Sequence, residues 1–112
     1  MLLGNLLKSV SKRNQKISVK GISFDSRKLK KRDIFFAIKG NQVSGVKFTD
    51  EAISRGAVAI ISEKKIKFKN QQIPLILVKD VRKSLSEACS KFYKKKPSKI
   101  IDLNYILLTP LF

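Results

Sequence analysis

The chain has 112 residues, 43% hydrophobic and 29% charged, enough for one compact folded domain and outside the compositional range of disordered segments. It has no His and a single Cys, which excludes His-based catalysis, the usual zinc sites and any internal disulfide. The net charge is +17, carried mostly by Lys with only five Arg, spread along the whole length beside many Ile and Asn. That scatter fits a compositional bias and a solvated basic surface. Specific nucleic-acid readers concentrate Arg for base edges and expose aromatics for stacking. Here Phe35, Phe36 and Phe92 lie in apolar runs or on an apolar helix face.

In chain order, "MLLGNLLKSV" repeats Leu at helical spacing and predicts a short amphipathic helix over 2–10. It is too short and polar for a signal peptide or a membrane span, so a cytoplasmic location is expected. "KISVKGISF" alternates, with Gly21 interrupting, and predicts a strand pair or a bulged strand. "KLKKRD" is a basic turn. "IFFAI" is a continuous apolar run, as in a strand covered on both faces. "KGNQVSG" is a loop. "KFTDEAISRG" predicts a helix capped by Thr49, with Asp50 and Glu51 in its first turn and Gly56 at its end. "AVAIIS" and "IPLILV" are strands, separated by the polar "EKKIKFKNQQ", a candidate hairpin edge. Asp80 is placed to cap a helix whose apolar face holds Val81, Leu85, Ala88, Cys89 and Phe92. "KII" begins a further strand, and "DLNYILLTPLF" is apolar without period.

Strands alternating with helices predict an α/β fold: a single three-layer domain with a mixed, mostly central sheet flanked by helices. In such sheets ligands bind beyond the carboxyl ends of strands. Two segments qualify. Asp25-Ser26-Arg27 follows the strand ending at Phe24, and Gly40-Asn41-Gln42-Val43 follows "IFFAI". Ser26 offers one donor and two acceptor lone pairs, and Asn41 and Gln42 offer amide donors and acceptors that complement a uracil edge or ribose. The plainer alternative is an Asx-type turn and a glycine-hinged loop. Cys89 reads as a buried small hydrophobe. No carboxylate pair suggests acid–base chemistry, and no Gly-rich phosphate loop followed by Lys-Ser/Thr is present, so the chain contains no credible catalytic centre.

The run "FDSRKLKKRDIFFAIKGNQVSGVKFTDEAISRGAVAIISE" resembles the N-terminal domain of the Mur ligases, the ATP-dependent amide-bond enzymes of peptidoglycan (cell-wall) synthesis. The family pattern runs Asp-Ser-Arg, a basic or Pro-Gly turn, "D-hydrophobic-F-hydrophobic-A-hydrophobic-x-G", an Asp-Gly loop and an Ala-rich helix closing on Gly-Ala. Two departures stand out: Lys31-Arg32 where Pro-Gly is usual, and Ser44-Gly45 where Asp-Gly is usual. The segment "IPLILVKDVRKSLSEACSKFYKKKPSKII" is most similar to the members that add the third stem-peptide residue; the D-alanyl-D-alanine-adding members share the Asp-Ser-Arg pattern. A small basic nucleic-acid-binding protein is the rival of another class.

The resemblance implies that residues 1–101 form the domain holding the UDP part of UDP-N-acetylmuramoyl-L-alanyl-D-glutamate. By position, Phe24 and Ser26 match the uridine-contacting pair, and Asn41, Gln42 and Val43 match the nucleotide loop. Asp25 and Arg27 are expected to brace the corner. ATP and Mg²⁺ belong to the full-length family enzyme, with none expected in this chain. Residues 102–112 stand where the ATPase domain would begin and lack its motifs. The expectation is therefore a monomeric substrate-nucleotide domain cut short, inactive as a ligase alone, with no membrane association and nucleic acid an unexpected partner.

Overall fold

The computed structural model describes residues 1–8, 10–38 and 45–94, the side chains of 45–47 and 94 excepted. Four strands, β1 (Gly21–Ser23), β2 (Asp33–Phe36), β3 (Ala59–Ser62) and β4 (Leu75–Leu77), form one sheet in the order β1-β2-β3-β4. All three pairings are parallel, with Gly21 opposite Asp33, Ile34 opposite Ala59 and Ile60 opposite Leu75. A mixed sheet was expected; the antiparallel component among the described residues is an isolated bridge between Leu2 and Ser18. The helices are α1 (Leu3–Leu6), α2 (Gly45–Ser54) and α3 (Val81–Lys94), and short 3₁₀ turns span Lys12–Asn14 and Ser26–Lys28.

The apolar runs of β2 and β3 are buried on both sides because the sheet lies between two layers. Ile34, Phe36, Ala59, Ile61 and Ile76 face a core shared with Leu3 and Leu6 of α1 and with Leu85, Ala88, Cys89 and Phe92 of α3. Their alternate neighbours Phe35, Ala37 and Ile60 face a second core with Ala52 of α2, Leu29 and Ala57. The period-two alternation of a strand thus distributes one continuous apolar run between two cores. Each fully buried Ile or Phe contributes about 1.5–3 kcal/mol.

Two element boundaries differ from the expected ones. α1 is a single turn: Leu7 is already extended, and Leu3 N and Gly4 N donate to Ile17 O and Gln15 O at 2.8 and 3.0 Å. Pairing with the returning chain replaces further helix, while Leu3, Leu6, Leu7 and Val10 all remain buried. α2 begins at Gly45, so Thr49 is a fully buried interior residue and not the cap, and Asp50 and Glu51 lie mid-helix. Phe48 packs in the same core as Ala52 and Ile53, which extends the helix's apolar stripe one turn earlier. Residues 63–74 contain no strand, so the expected hairpin edge is absent there. The predicted strand "KII" and the segment 102–112 lie outside the described residues.

Candidate functional site

Because the four strands are parallel, their carboxyl ends share one edge, where Phe24, Ala37, Glu63 and Val78 follow β1 to β4. Serine turns the chain at two of these ends. Ser23 Oγ donates to Asp25 O at 2.8 Å and accepts from Asp25 N at 3.2 Å. Ser62 Oγ makes the same pair of bonds with Lys64, at 2.8 and 3.2 Å. These hydroxyls satisfy backbone groups where the ladder stops.

After β1 the chain enters the 3₁₀ turn Ser26–Lys28, capped by Asp25, whose Oδ1 accepts from Arg27 N at 3.0 Å. The same carboxylate holds the Arg27 guanidinium in a two-pronged pair, 3.1 Å at each prong. That fork, with the backbone bond and the Lys28 charge, holds Asp25 below the ordinary carboxylate value against a smaller cost of burial. Asp25 and Arg27 brace the corner, as the sequence leads one to expect.

Ser26 opens the turn. It is 3% exposed, and its Oγ donates to Glu51 Oε1 on α2 at 3.4 Å. The same carboxylate oxygen stands 3.6 Å from Arg55 Nε, one helical turn on. Phe24, the other residue of the expected uridine pair, is half-buried and packs against the α1/α3 core. Both leave the carboxyl end of β1, but they turn to opposite faces of the sheet. Asn41, Gln42 and Val43 lie outside the described residues.

Sequence reasoning missed Glu51 as the partner of Ser26, because a carboxylate in a helix reads as local electrostatics and its partner is distant in sequence. It also missed Glu63, whose Oε2 accepts from Val81 N at 2.9 Å. Together with Asp80 Oδ1, which accepts from Arg82 N and Lys83 N at 3.1 Å, it saturates the start of α3. An open cleft of about 800 Å³ lies beside this cap, walled by Glu63, Leu77, Lys79, Lys83 and Glu87. It mixes the carboxylates of Glu63, Asp80 and Glu87 with the lysines, and Glu63 and Asp80 are engaged with the helix start. Cys89 is fully buried and desolvation pushes its thiol up to about 12, so it is packing and not a nucleophile. Among the described residues no group of three His, Cys, Asp or Glu could hold a metal, and no helix is long and apolar enough to cross a membrane.

Comparison with known proteins places this geometry. The family model described as "Mur ligase family, catalytic domain" matches residues 18–93. The UDP-N-acetylmuramoyl-L-alanyl-D-glutamate–2,6-diaminopimelate ligase of Rickettsia conorii is 47% identical over 88 residues, which is 78% of this chain and 18% of that protein. The ligase of the same name from Caldanaerobacter subterraneus is 36% identical over 103 residues, 89% of this chain and 21% of that one. The chain thus spans about a fifth of the length of the curated relatives it matches. Among solved structures, MurF ligase from Thermotoga maritima in complex with ADP superposes with a TM-score of 0.55 at 27% identity, covering 69% of this chain and 17% of that one. A structure of a UDP-N-acetylmuramoyl-L-alanyl-D-glutamate–2,6-diaminopimelate ligase gives a TM-score of 0.67 over 86% of this chain and 20% of that one; at 23% identity it speaks for the fold alone. With the family pattern running from the strand before Asp25 to the far end of α3, the chain belongs to the Mur ligase family.

Proposed function

We propose that residues 1–101 form the domain that holds the UDP moiety of UDP-N-acetylmuramoyl-L-alanyl-D-glutamate in a peptidoglycan ligase that adds the third stem-peptide residue. The observation that carries this reading is the 47% identity to a relative named for that reaction. The carboxyl edge of the parallel sheet supports it, because that edge is where open α/β sheets take ligands. Ser26 and Phe24 follow β1 at that edge, on opposite faces of the sheet, and this reading counts Asn41, Gln42 and Val43 with them as nucleotide contacts. ATP and Mg²⁺ serve the complete ligase. The described residues do not fit either, having no metal-capable cluster, and the sequence has no phosphate loop. In this reading amide-bond formation is the work of the remainder, about four-fifths, of the relatives' length.

Titrating uridine diphosphate into the chain, followed by amide NMR shifts, tests the reading. Shifts are expected around residues 24–27 and 40–45, larger than those given by inorganic pyrophosphate. Ser26→Ala removes one hydrogen bond of about 0.5–1.5 kcal/mol and should weaken binding a few-fold to about tenfold. Equal responses to uridine diphosphate and pyrophosphate would leave only a basic surface and defeat the proposal.

A further inference from the structure

The contact between Ser26 and Glu51 has a chemical direction. A serine hydroxyl has one proton to give and two lone pairs to receive. At Ser26 the proton points to Glu51 Oε1, 3.4 Å away. A carboxylate can only accept, so this bond cannot run the other way. The serine oxygen is fixed independently: the Asp25 carboxylate caps the turn, and Lys28 N closes it on Asp25 O at 3.0 Å. The carboxylate is steadied by Arg55 on the same side of α2. Arg27 gives its Nε and Nη2 hydrogens to Asp25 and adds its positive charge near Glu51. At 3% exposure, little water surrounds Ser26 to reorient the hydroxyl.

We infer that Glu51 is a positioning residue that makes Ser26 a hydrogen-bond acceptor toward the ligand, so that the group read through Ser26 is a donor: the imide N–H of uracil or a ribose hydroxyl. The inference rests on the proposed nucleotide site. Cytosine offers a ring acceptor in place of the imide donor, and a lone pair facing a lone pair is a penalty that a freely rotating hydroxyl would escape. Discrimination here comes from an orientation imposed by a residue the ligand never touches.

The test compares the full chain with Glu51→Ala and Glu51→Gln, titrated with uridine diphosphate, cytidine diphosphate and 2′-deoxyuridine diphosphate. Wild type is expected to prefer uridine diphosphate by about tenfold over whichever analogue lacks the donor, the loss expected for one hydrogen bond replaced by an unfavourable contact. In Glu51→Ala the hydroxyl is free to donate to the cytosine ring nitrogen, and the uridine-to-cytidine ratio should fall to within about twofold, mainly by recovery of cytidine diphosphate, whereas the deoxy analogue has no acceptor in place of its hydroxyl and should recover nothing. Mere loss of structure would weaken all three ligands together. Glu51→Gln preserves volume if the alanine variant fails to fold, and it should give an intermediate ratio. The cytidine and deoxy arms tell base from sugar. An unchanged ratio in both variants overturns the inference while leaving nucleotide binding intact; no binding of uridine diphosphate to wild type overturns the proposed site and this inference with it.

Discussion

Arg32 carries φ +69°, alone among the described non-glycine residues in the left-handed region. It is the third residue of the turn closed by Asp33 N donating to Lys30 O at 3.1 Å. A positive φ at that position marks a type II turn, which favours Pro second and Gly third. Here Lys31-Arg32 occupies those places, which gives the family's usual Pro-Gly a physical meaning. The arginine is held there because its N–H donates to Gly56 O at 2.8 Å. Gly56 itself has φ +110°, and a Cβ on it would lie 2.9 Å from Lys31 Cα. Arg32→Gly should therefore stabilise the domain by about 0.5–1 kcal/mol, the left-handed penalty less the added chain entropy, measured by urea denaturation. A loss of stability would mean that the arginine side chain does more than fill the turn. Two carboxylates nearby titrate in opposite directions. The Arg27 fork lowers Asp25 from 3.8, so its contribution is complete above that pH and is lost as pH falls through the lower folded value. Burial raises Asp33, partly offset by the Lys30 N–H and charge, so the folded state holds that proton more tightly than the unfolded chain. Its ionisation subtracts stability as pH rises from 3.8 through the higher folded value. Carboxyl ¹³C titration should place Asp33 above Asp25; the reverse order would contradict both environments.

At the scale of elements, α3 shows how a helix start is secured from two directions. Asp80 caps it locally, and Glu63 reaches across from the end of β3. Asp80→Ala should cost about 1 kcal/mol in denaturation. Glu63→Gln keeps an acceptor for Val81 N and should change stability by less than about 0.5 kcal/mol; a large loss there would show that charge at the helix start, and not the hydrogen bond, is what matters. The contrast also marks what was legible in the sequence. The Asp80 cap and the Gly56 terminus are local, each closing within a few residues, and spacing alone pointed to them; the Asp25–Arg27 corner is as local, but spacing pointed only to its Asx-type turn and the resemblance to its bracing role. The apolar runs of β2 and β3 were equally plain because burial on both faces leaves an unbroken signature. The start of α2 was misplaced because Thr49 has the chemistry of a cap, and only the sheet opposite Phe48 makes the earlier turn worth forming. Glu51 with Ser26 and Glu63 with Val81 were hidden because each joins residues brought together by the fold. The split of Phe24 and Ser26 between two faces was hidden for the same reason.

The whole molecule carries +17 on a body of 35 × 33 × 25 Å. Only two ion pairs are present among the described residues, Arg27 with Asp25 and Arg55 with Glu51, so repulsion among lysines dominates the long-range field. Raising ionic strength from about 0.01 to about 0.1 M shortens the screening length from about 30 to about 10 Å, below the molecular dimensions. The melting temperature should rise over that range; a fall would mean that attractive pairs outweigh the repulsion. The sheet order has a consequence for how the chain is made. Strands adjacent in sequence are adjacent in space, from Gly21 with Asp33 to Ile60 with Leu75. A chain emerging from the ribosome can lay each strand against its predecessor and never has to insert one between two already paired. The α2 side of the sheet is covered as synthesis proceeds. The other side stays open until the last described helix arrives, since Leu3 and Leu6, made well before it, find Leu85 and Phe92 only then. A nascent domain stalled before α3 would therefore display these two leucines, and that is the interval in which a holding chaperone has something to grip.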